Sequence, residues 1–125
     1  MNKKKILIVD DNPDLLYLVK RGLEHEDDTF EVTGASDGNT CLELLKEDTL
    51  PDLILLDIMM PGMDGWDVFA HIKENPQWRE IPIVFLTAKS DDYSKGFGKL
   101  SADDYITKPF ELSYLKERID QILQR

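Results

Sequence analysis

Five polar residues each follow a mostly apolar run, and their types suit metal and phosphoryl chemistry. They are Asp10, Asp11, Asp57, Thr87 and Lys108. Uninterrupted apolar runs between turn signals are typical of strands buried on both faces, as in parallel sheets. Because ligands bind at the carboxyl ends of the strands in open α/β sheets, we expect these five side chains to share one edge of a sheet.

The three acids predict a divalent cation site. Like charges ~4 Å apart repel by about 4 kcal/mol at an effective dielectric of ~20, and a cation would relieve that cost. Hard oxygen ligands suit Mg²⁺ or Mn²⁺. The ammonium of Lys108 and the hydroxyl of Thr87 could stabilise a transferring phosphoryl group. Asp57 is then the carboxylate left to act as nucleophile and form an aspartyl phosphate.

Bringing these five residues to one edge of a sheet requires several strands with helices between them, and the sequence predicts five of each. The strand-like segments are residues 5–9, 30–35, 53–56, 81–86 and 104–107. Helices are predicted after a cap at Asn12, after a cap in the segment Ser36-Asp37-Gly38 and after a cap at Asp64. A fourth helix is predicted over about residues 90–99, and a fifth along the stripe Leu112, Leu115, Ile119 and Ile122. Five strand-helix pairs with short, right-handed connections predict an α/β fold: a parallel sheet with five helices covering both faces.

The charge and the lengths of the apolar runs argue against nucleic-acid binding and membrane contact. The net charge of -10 argues against direct binding of nucleic acid, which needs clustered Lys and Arg. The apolar run after the basic start is too short for a signal peptide, and no run is long enough to span a membrane, so we expect a cytoplasmic protein without membrane contact. The single cysteine, Cys41, is expected to be a small buried apolar residue.

Four sequence blocks resemble the receiver domain of two-component response regulators. They are ILIVDD at residues 6–11, LLDIMMPGMDG at residues 55–65, FLTA at residues 85–88 and ADDYITKPF at residues 102–110. The resemblance covers essentially the whole chain, so it implies one receiver domain over residues 1–125. It also implies the flavodoxin-like strand order 2-1-3-4-5. Ser101 departs from the family pattern, which commonly has glycine at that turn.

The resemblance implies a role for each site residue. Asp57 matches the phosphoacceptor, and Asp11 and Asp57 match direct Mg²⁺ ligands. Asp10 matches an acid that usually reaches the metal through water, and Met59 the residue whose backbone carbonyl completes the set.

Further implied roles concern the phosphoryl contact and the conformational switch. Thr87 and Lys108 match the pair that contacts the phosphoryl group, and Tyr105 matches an aromatic switch residue that turns inward as Thr87 moves. The Lys108–Pro109 bond matches a cis peptide that aims the lysine.

The resemblance also implies partners. A sensor histidine kinase or a histidine phosphotransfer protein would supply the phosphoryl group. A downstream protein or output domain would bind the face formed by the fourth helix, the fifth strand and the fifth helix. The domain would catalyse its own phosphorylation and dephosphorylation only. Lys89 is a further candidate for tuning the access of water to the phosphoryl group.

Three other functions fit these residues less well than that of a receiver. A haloacid-dehalogenase-type phosphatase would need an acid where Met59 stands, and a flavodoxin-type flavin carrier would need a glycine- and hydroxyl-rich loop after the first strand. The third rival is a pseudo-receiver that binds partners without being phosphorylated. Such chains typically lack one of the site residues, and all of them are present here.

Overall fold

The computed structural model describes residues 3–26, 29–47, 49–88 and 102–124. Five strands and four helices lie in these ranges, in the order β1 (Lys4–Val9), α1 (Pro13–Glu26), β2 (Phe30–Ala35), α2 (Gly38–Leu45), β3 (Leu53–Asp57), α3 (Gly65–Glu74), β4 (Ile83–Ala88), β5 (Asp104–Lys108) and α4 (Leu112–Gln124). The helix predicted over residues 90–99 lies outside the described residues, as do Lys89 and Ser101. The predicted fifth helix is therefore α4.

The strands form one parallel sheet in the order β2-β1-β3-β4-β5, so the predicted fold class is confirmed. The central strand, β3, is buried along its whole length. Register brings the strand ends together: Val9 of β1 lies opposite Leu56, and Asp57 lies opposite Leu86 of β4. The polar residues that end β1, β3 and β4 therefore come to one edge of the sheet.

Helices cover both faces because successive residues of a strand point to opposite sides. On β1, Leu7 and Val9 join the core that contains buried residues of α2 and α3. Ile6 and Ile8 join the opposite core, which contains buried residues of α1 and α4. None of the helices in the described part of the chain is both long and apolar enough to cross a bilayer.

Polar caps start the helices at the predicted positions. Asp37 accepts a hydrogen bond from the backbone N–H of Thr40 at 2.7 Å. Asp64 and Asp67 form a reciprocal capping box at the start of α3. These caps satisfy N–H groups that have no partner inside the helix. The largest boundary difference is in β4, which spans Ile83–Ala88 instead of the predicted residues 81–86. It starts later because Pro82 has no N–H to add to the ladder. The boundaries of β1, β3 and β5 differ from the predicted ones by one residue each.

Candidate functional site

Three carboxylates meet at the carboxyl ends of β1 and β3. Asp10 and Asp11 follow β1, and Asp57 is the last residue of β3. One carboxylate oxygen from each lies within 4.8 Å of the others. Asp10 and Asp57 are buried, with 0% and 4% of their surface exposed, whereas Asp11 is exposed. The cluster therefore opens to solvent on the Asp11 side.

Asp10 is held from both sides. Its Oδ1 accepts a hydrogen bond from the backbone N–H of Asn12 at 2.9 Å, and its Oδ2 accepts one from Lys108 Nζ at 2.6 Å. The bond to Asn12 fixes the carboxylate against the start of α1. Asp10 is thus oriented by local backbone and by a cation from the other end of the sequence.

Lys108 links two of the acids. Its Nζ lies 3.2 Å from Asp57 Oδ1 as well as 2.6 Å from Asp10 Oδ2. About a quarter of its side chain is exposed. Partial burial acts to lower the pKa of the ammonium, but Asp10 and Asp57 together raise the pKa above its ordinary value, so Lys108 stays charged. The Lys108–Pro109 peptide bond is cis.

The environment of Asp57 raises its pKa. Burial is the main cause, and the neighbouring carboxylate of Asp10 adds to it, while Lys108 acts in the opposite direction. Together these effects raise the pKa of Asp57 from 3.8 to about 6. The group is therefore ionised at neutral pH, but at a cost that a further positive charge would relieve.

Thr87 lies on the strand beside Asp57. It is fully buried near the end of β4, one residue past the partner of Asp57 in the ladder. Within the described part of the chain, its Oγ1 has no hydrogen-bond partner. A buried hydroxyl without a partner is costly and uncommon in folded proteins. Within the described residues, Thr87 therefore has a hydroxyl available for a ligand, on the strand next to Asp57.

The loop after Asp57 depends on a residue that sequence reasoning did not assign. A Cβ on Gly65 would lie 2.3 Å from the carbonyl oxygen of Asp57 and 2.7 Å from Ile58 Cα. The Gly65 N–H donates to the Ile58 carbonyl at 2.8 Å, which closes the loop. Only glycine allows this approach, so Gly65 positions the backbone of Asp57. Met59, on the same loop, has an exposed side chain.

Tyr105 belongs to an aromatic cluster. Its ring stacks on Phe85 of β4 with 5.7 Å between centroids, and Trp66 and Phe69 of α3 pack on Phe85 at 4.7 and 5.3 Å. Phe85 lies two residues before Thr87 on β4. The contact between Trp66 and Phe85 joins residues far apart in the chain, so no local sequence pattern predicts it.

Other titratable residues lie outside the site. His25 and His71 are exposed on α1 and α3, as expected for solvated surface histidines. Cys41 is fully buried on α2, and burial raises the pKa of its thiol to about 12. These residues do not take part in the strand-end cluster.

The response regulator receiver domain model matches residues 6–120. The chain belongs to the response regulator receiver domain family. The receiver assignment rests on this match over most of the chain, and it agrees with the strand order and with the acidic cluster. Members of this family act in two-component signal transduction, and Mg²⁺ and phosphorylation are typical of them.

Known proteins similar to this receiver support the assignment. A Vibrio cholerae serotype O1 protein named "Probable cyclic di-GMP phosphodiesterase" is 42% identical over 121 residues, which cover 95% of this chain and 26% of that protein. This chain therefore spans about a quarter of that relative's length.

Solved receiver structures have the same fold. The CheY-like response regulator receiver domain protein from Methanospirillum hungatei JF-1 has a TM-score of 0.85 at 38% identity, covering 98% of this chain and 96% of that one. The chemotaxis protein CheY4 of Vibrio cholerae has a TM-score of 0.85 at 28% identity, covering 96% of this chain and 98% of that one.

The donor set of this receiver fits a divalent cation. Three carboxylates that converge within 4.8 Å provide hard oxygen ligands. Burial and the neighbouring Asp10 raise the pKa of Asp57, so a bound cation would favour its ionised form. The exposed side of the cluster leaves room for the waters that Mg²⁺ retains.

Proposed function

We propose that this chain is a phosphorylation-dependent switch in which Asp57 accepts a phosphoryl group. The donor would be a phosphohistidine on a sensor histidine kinase or on a histidine phosphotransfer protein. The observation that carries the proposal is the site itself: a buried, ionisable Asp57 lies beside two more acids and 3.2 Å from Lys108, with Thr87 on the neighbouring strand.

The proposed transfer is a displacement at phosphorus. A carboxylate oxygen of Asp57 forms the new O–P bond, the N–P bond of the donor phosphohistidine breaks, and the released imidazole nitrogen takes up a proton. With a pKa of about 6, Asp57 is mostly ionised at neutral pH and keeps a lone pair for attack. Lys108 and Thr87 would stabilise the phosphoryl oxygens, the first by charge and the second by its O–H.

Asp10, Asp11, Asp57 and the backbone carbonyl of Met59 would hold Mg²⁺, or Mn²⁺ in its place. When bound, the cation would offset the negative charge of the carboxylates and of the transferring group. Without it, Lys108 is the positive group that the structure places against Asp10 and Asp57.

The conformational response is assigned to Thr87 and Tyr105. Movement of the Thr87 hydroxyl toward a phosphoryl group would alter the end of β4. Phe85 lies on the same strand, and its ring stacks on that of Tyr105. The output would then be read by a downstream protein or output domain at the face of the fourth predicted helix, β5 and α4. A two-state element of this kind converts a local charge change into altered binding.

The remaining assignments follow from this role. We propose that residues 1–125 form one receiver domain, that it works in the cytoplasm, and that its chemistry is limited to its own phosphorylation and dephosphorylation. It would bind neither nucleic acid nor membrane directly. The acidic net charge of -10 supports the absence of nucleic-acid binding.

Incubation with acetyl phosphate and Mg²⁺, followed by intact-mass measurement, tests the proposal. The wild-type chain should gain the mass of one phosphoryl group, and Asp57→Asn should gain none. Asp52→Asn is the matched control, because Asp52 is an exposed aspartate just before the same strand. A folded wild-type protein that remains unmodified would favour the pseudo-receiver interpretation and contradict ours.

A further inference from the structure

The outer edge of β2 makes contacts that the proposed function does not use. β2 is the end strand of the described sheet and pairs with β1. Alternate residues of an edge strand direct both backbone groups to the open side. At Val32 both groups bond to side chains of α1: the N–H donates to Glu24 Oε2 at 2.7 Å, and the carbonyl accepts from Lys20 Nζ at 2.9 Å.

Lys20 and Glu24 together imitate the donor and acceptor of a neighbouring strand. They lie four residues apart on α1, and their own contact, Nζ to Oε2, is 3.0 Å. Partial burial acts to raise the pKa of Glu24, but the Val32 N–H and Lys20 hold the pKa below its ordinary value. An exposed ion pair of this spacing contributes little by itself. Its contacts with Val32 are what distinguish it from an ordinary surface pair.

The strand behind this pair is complementary to itself. Antiparallel pairing of two copies about a two-fold axis at Val32 would set Val32 opposite Val32, and residues in that position can exchange both N–H···O=C bonds. Glu31 would face Thr33, and Phe30 would face Gly34. No like charges oppose each other in this register, which favours a second copy of this chain as the occupant of the edge.

We propose that the Lys20–Glu24 pair guards the outer edge of β2, and that losing it lets two copies of this chain join through antiparallel β2 strands centred on Val32. Unprotected edge strands are templates for such pairing, and proteins commonly cover them with charged side chains. In this chain the charged side chains come from α1, and they bond to the N–H and carbonyl groups of Val32 in the middle of β2.

The first test is amide hydrogen exchange at Val32 in variants of Glu24. Glu24→Ala removes the acceptor and should speed exchange by roughly tenfold, the scale expected for losing a hydrogen bond to a charged group. Glu24→Gln keeps an acceptor oxygen and should stay close to wild type. Glu43→Ala is the matched control, because the Glu43–Lys46 pair lies on the surface of α2. Unchanged exchange in Glu24→Ala would overturn the proposal.

The second test is sedimentation velocity over a range of protein concentrations, in enough salt to screen the net charge of -10. Glu24→Ala should show a concentration-dependent dimer, while wild type and Glu43→Ala remain monomeric. If Glu24→Ala does not fold, Lys20→Met is measured in its place with the same expectation. A folded variant that remains monomeric at every concentration, or a control that dimerises equally, would overturn the proposal.

Discussion

Replacing Asp57 by asparagine should stabilise the metal-free protein at neutral pH and should have little effect in acid. Asp57 is buried beside Asp10, and its pKa in the folded protein is raised from 3.8 to about 6. Between these values the folded state binds more protons than the unfolded state. Stability contributed by the protonated carboxyl is therefore present below about pH 4 and is lost as the pH rises through 6.

The size of the effect follows from the same values. The difference between 3.8 and about 6, at roughly 1.4 kcal/mol for each pKa unit, amounts to about 3 kcal/mol. An asparagine has nearly the same shape but carries no charge, so it avoids this cost. Above pH 7 we expect Asp57→Asn to raise the free energy of unfolding by about 2–3 kcal/mol. Total stabilities are only about 5–15 kcal/mol, so the gain is readily measured.

Urea denaturation in the presence of a chelator, at pH 4 and pH 7.5, measures this difference. Glu80→Gln is the control, because Glu80 is exposed in a turn and its replacement changes the net charge by the same amount. The control should stay within about 0.5 kcal/mol of wild type at both pH values. A gain for Asp57→Asn that is equally large at pH 4, or no gain at pH 7.5, would refute the reasoning.

Mg²⁺ should reduce the stability difference between wild type and Asp57→Asn at pH 7.5. A ligand that binds only the folded state at a hundred times its Kd adds about 2.7 kcal/mol. That increment is close to the cost assigned to Asp57, and Asp57→Asn, which lacks one of the three carboxylates, should gain less. Equal stabilisation of both proteins by Mg²⁺ would show that the cation binds elsewhere.

Three further substitutions test individual contacts of the site. Gly65→Ala should lower the free energy of unfolding in urea by about 1–3 kcal/mol and slow phosphorylation by acetyl phosphate, because its Cβ would meet the Asp57 carbonyl. Gly34→Ala is the control and should lower stability much less, since the nearest atom to its Cβ would be 3.6 Å away. Thr87→Val should slow phosphorylation in the same mass assay. Its free energy of unfolding should stay unchanged or rise by about 1 kcal/mol, because the lost hydroxyl is buried and has no partner within the described residues. A clear loss of stability would contradict this. Lys108→Met should lower metal-free stability at pH 7.5 by about 3 kcal/mol, because it leaves two buried acids without their cation, and a similar loss at pH 4 would argue against that cause.

Much of the fold could be predicted because each signal in the sequence is local. The uninterrupted apolar run before Asp57 matches a strand that is buried throughout, and Asp37 and Asp64 cap the helices expected of them. The clustering of Asp10, Asp11 and Asp57 follows from topology alone, since parallel strands bring their carboxyl ends to one edge.

The remaining features depend on distances that no local pattern encodes. The close approach of Gly65 to the Asp57 backbone appears only when the loop is folded, although a glycine that opens a helix is itself a signal of tight packing. The ring contacts of Trp66 with Phe85 join different elements of the fold. The bonds from Lys20 and Glu24 to Val32 require α1 to pack along the edge of the sheet, and on the sequence alone these residues are an ordinary helical ion pair.

The electrostatic cost at Asp57 connects the stability of this receiver with its proposed function. Two buried acids that share one lysine leave the folded protein with negative charge that remains incompletely balanced. A ligand that supplies positive charge therefore stabilises the folded state, and a phosphoryl group on Asp57 would change the same balance from within. Thr87 lies on the strand next to Asp57 and shares β4 with Phe85, so under the proposed function a change of charge at the carboxylates would reach Tyr105 through β4. If the proposed function holds, the burial that raises the pKa of Asp57 would also make the fold sensitive to the chemical state of this side chain.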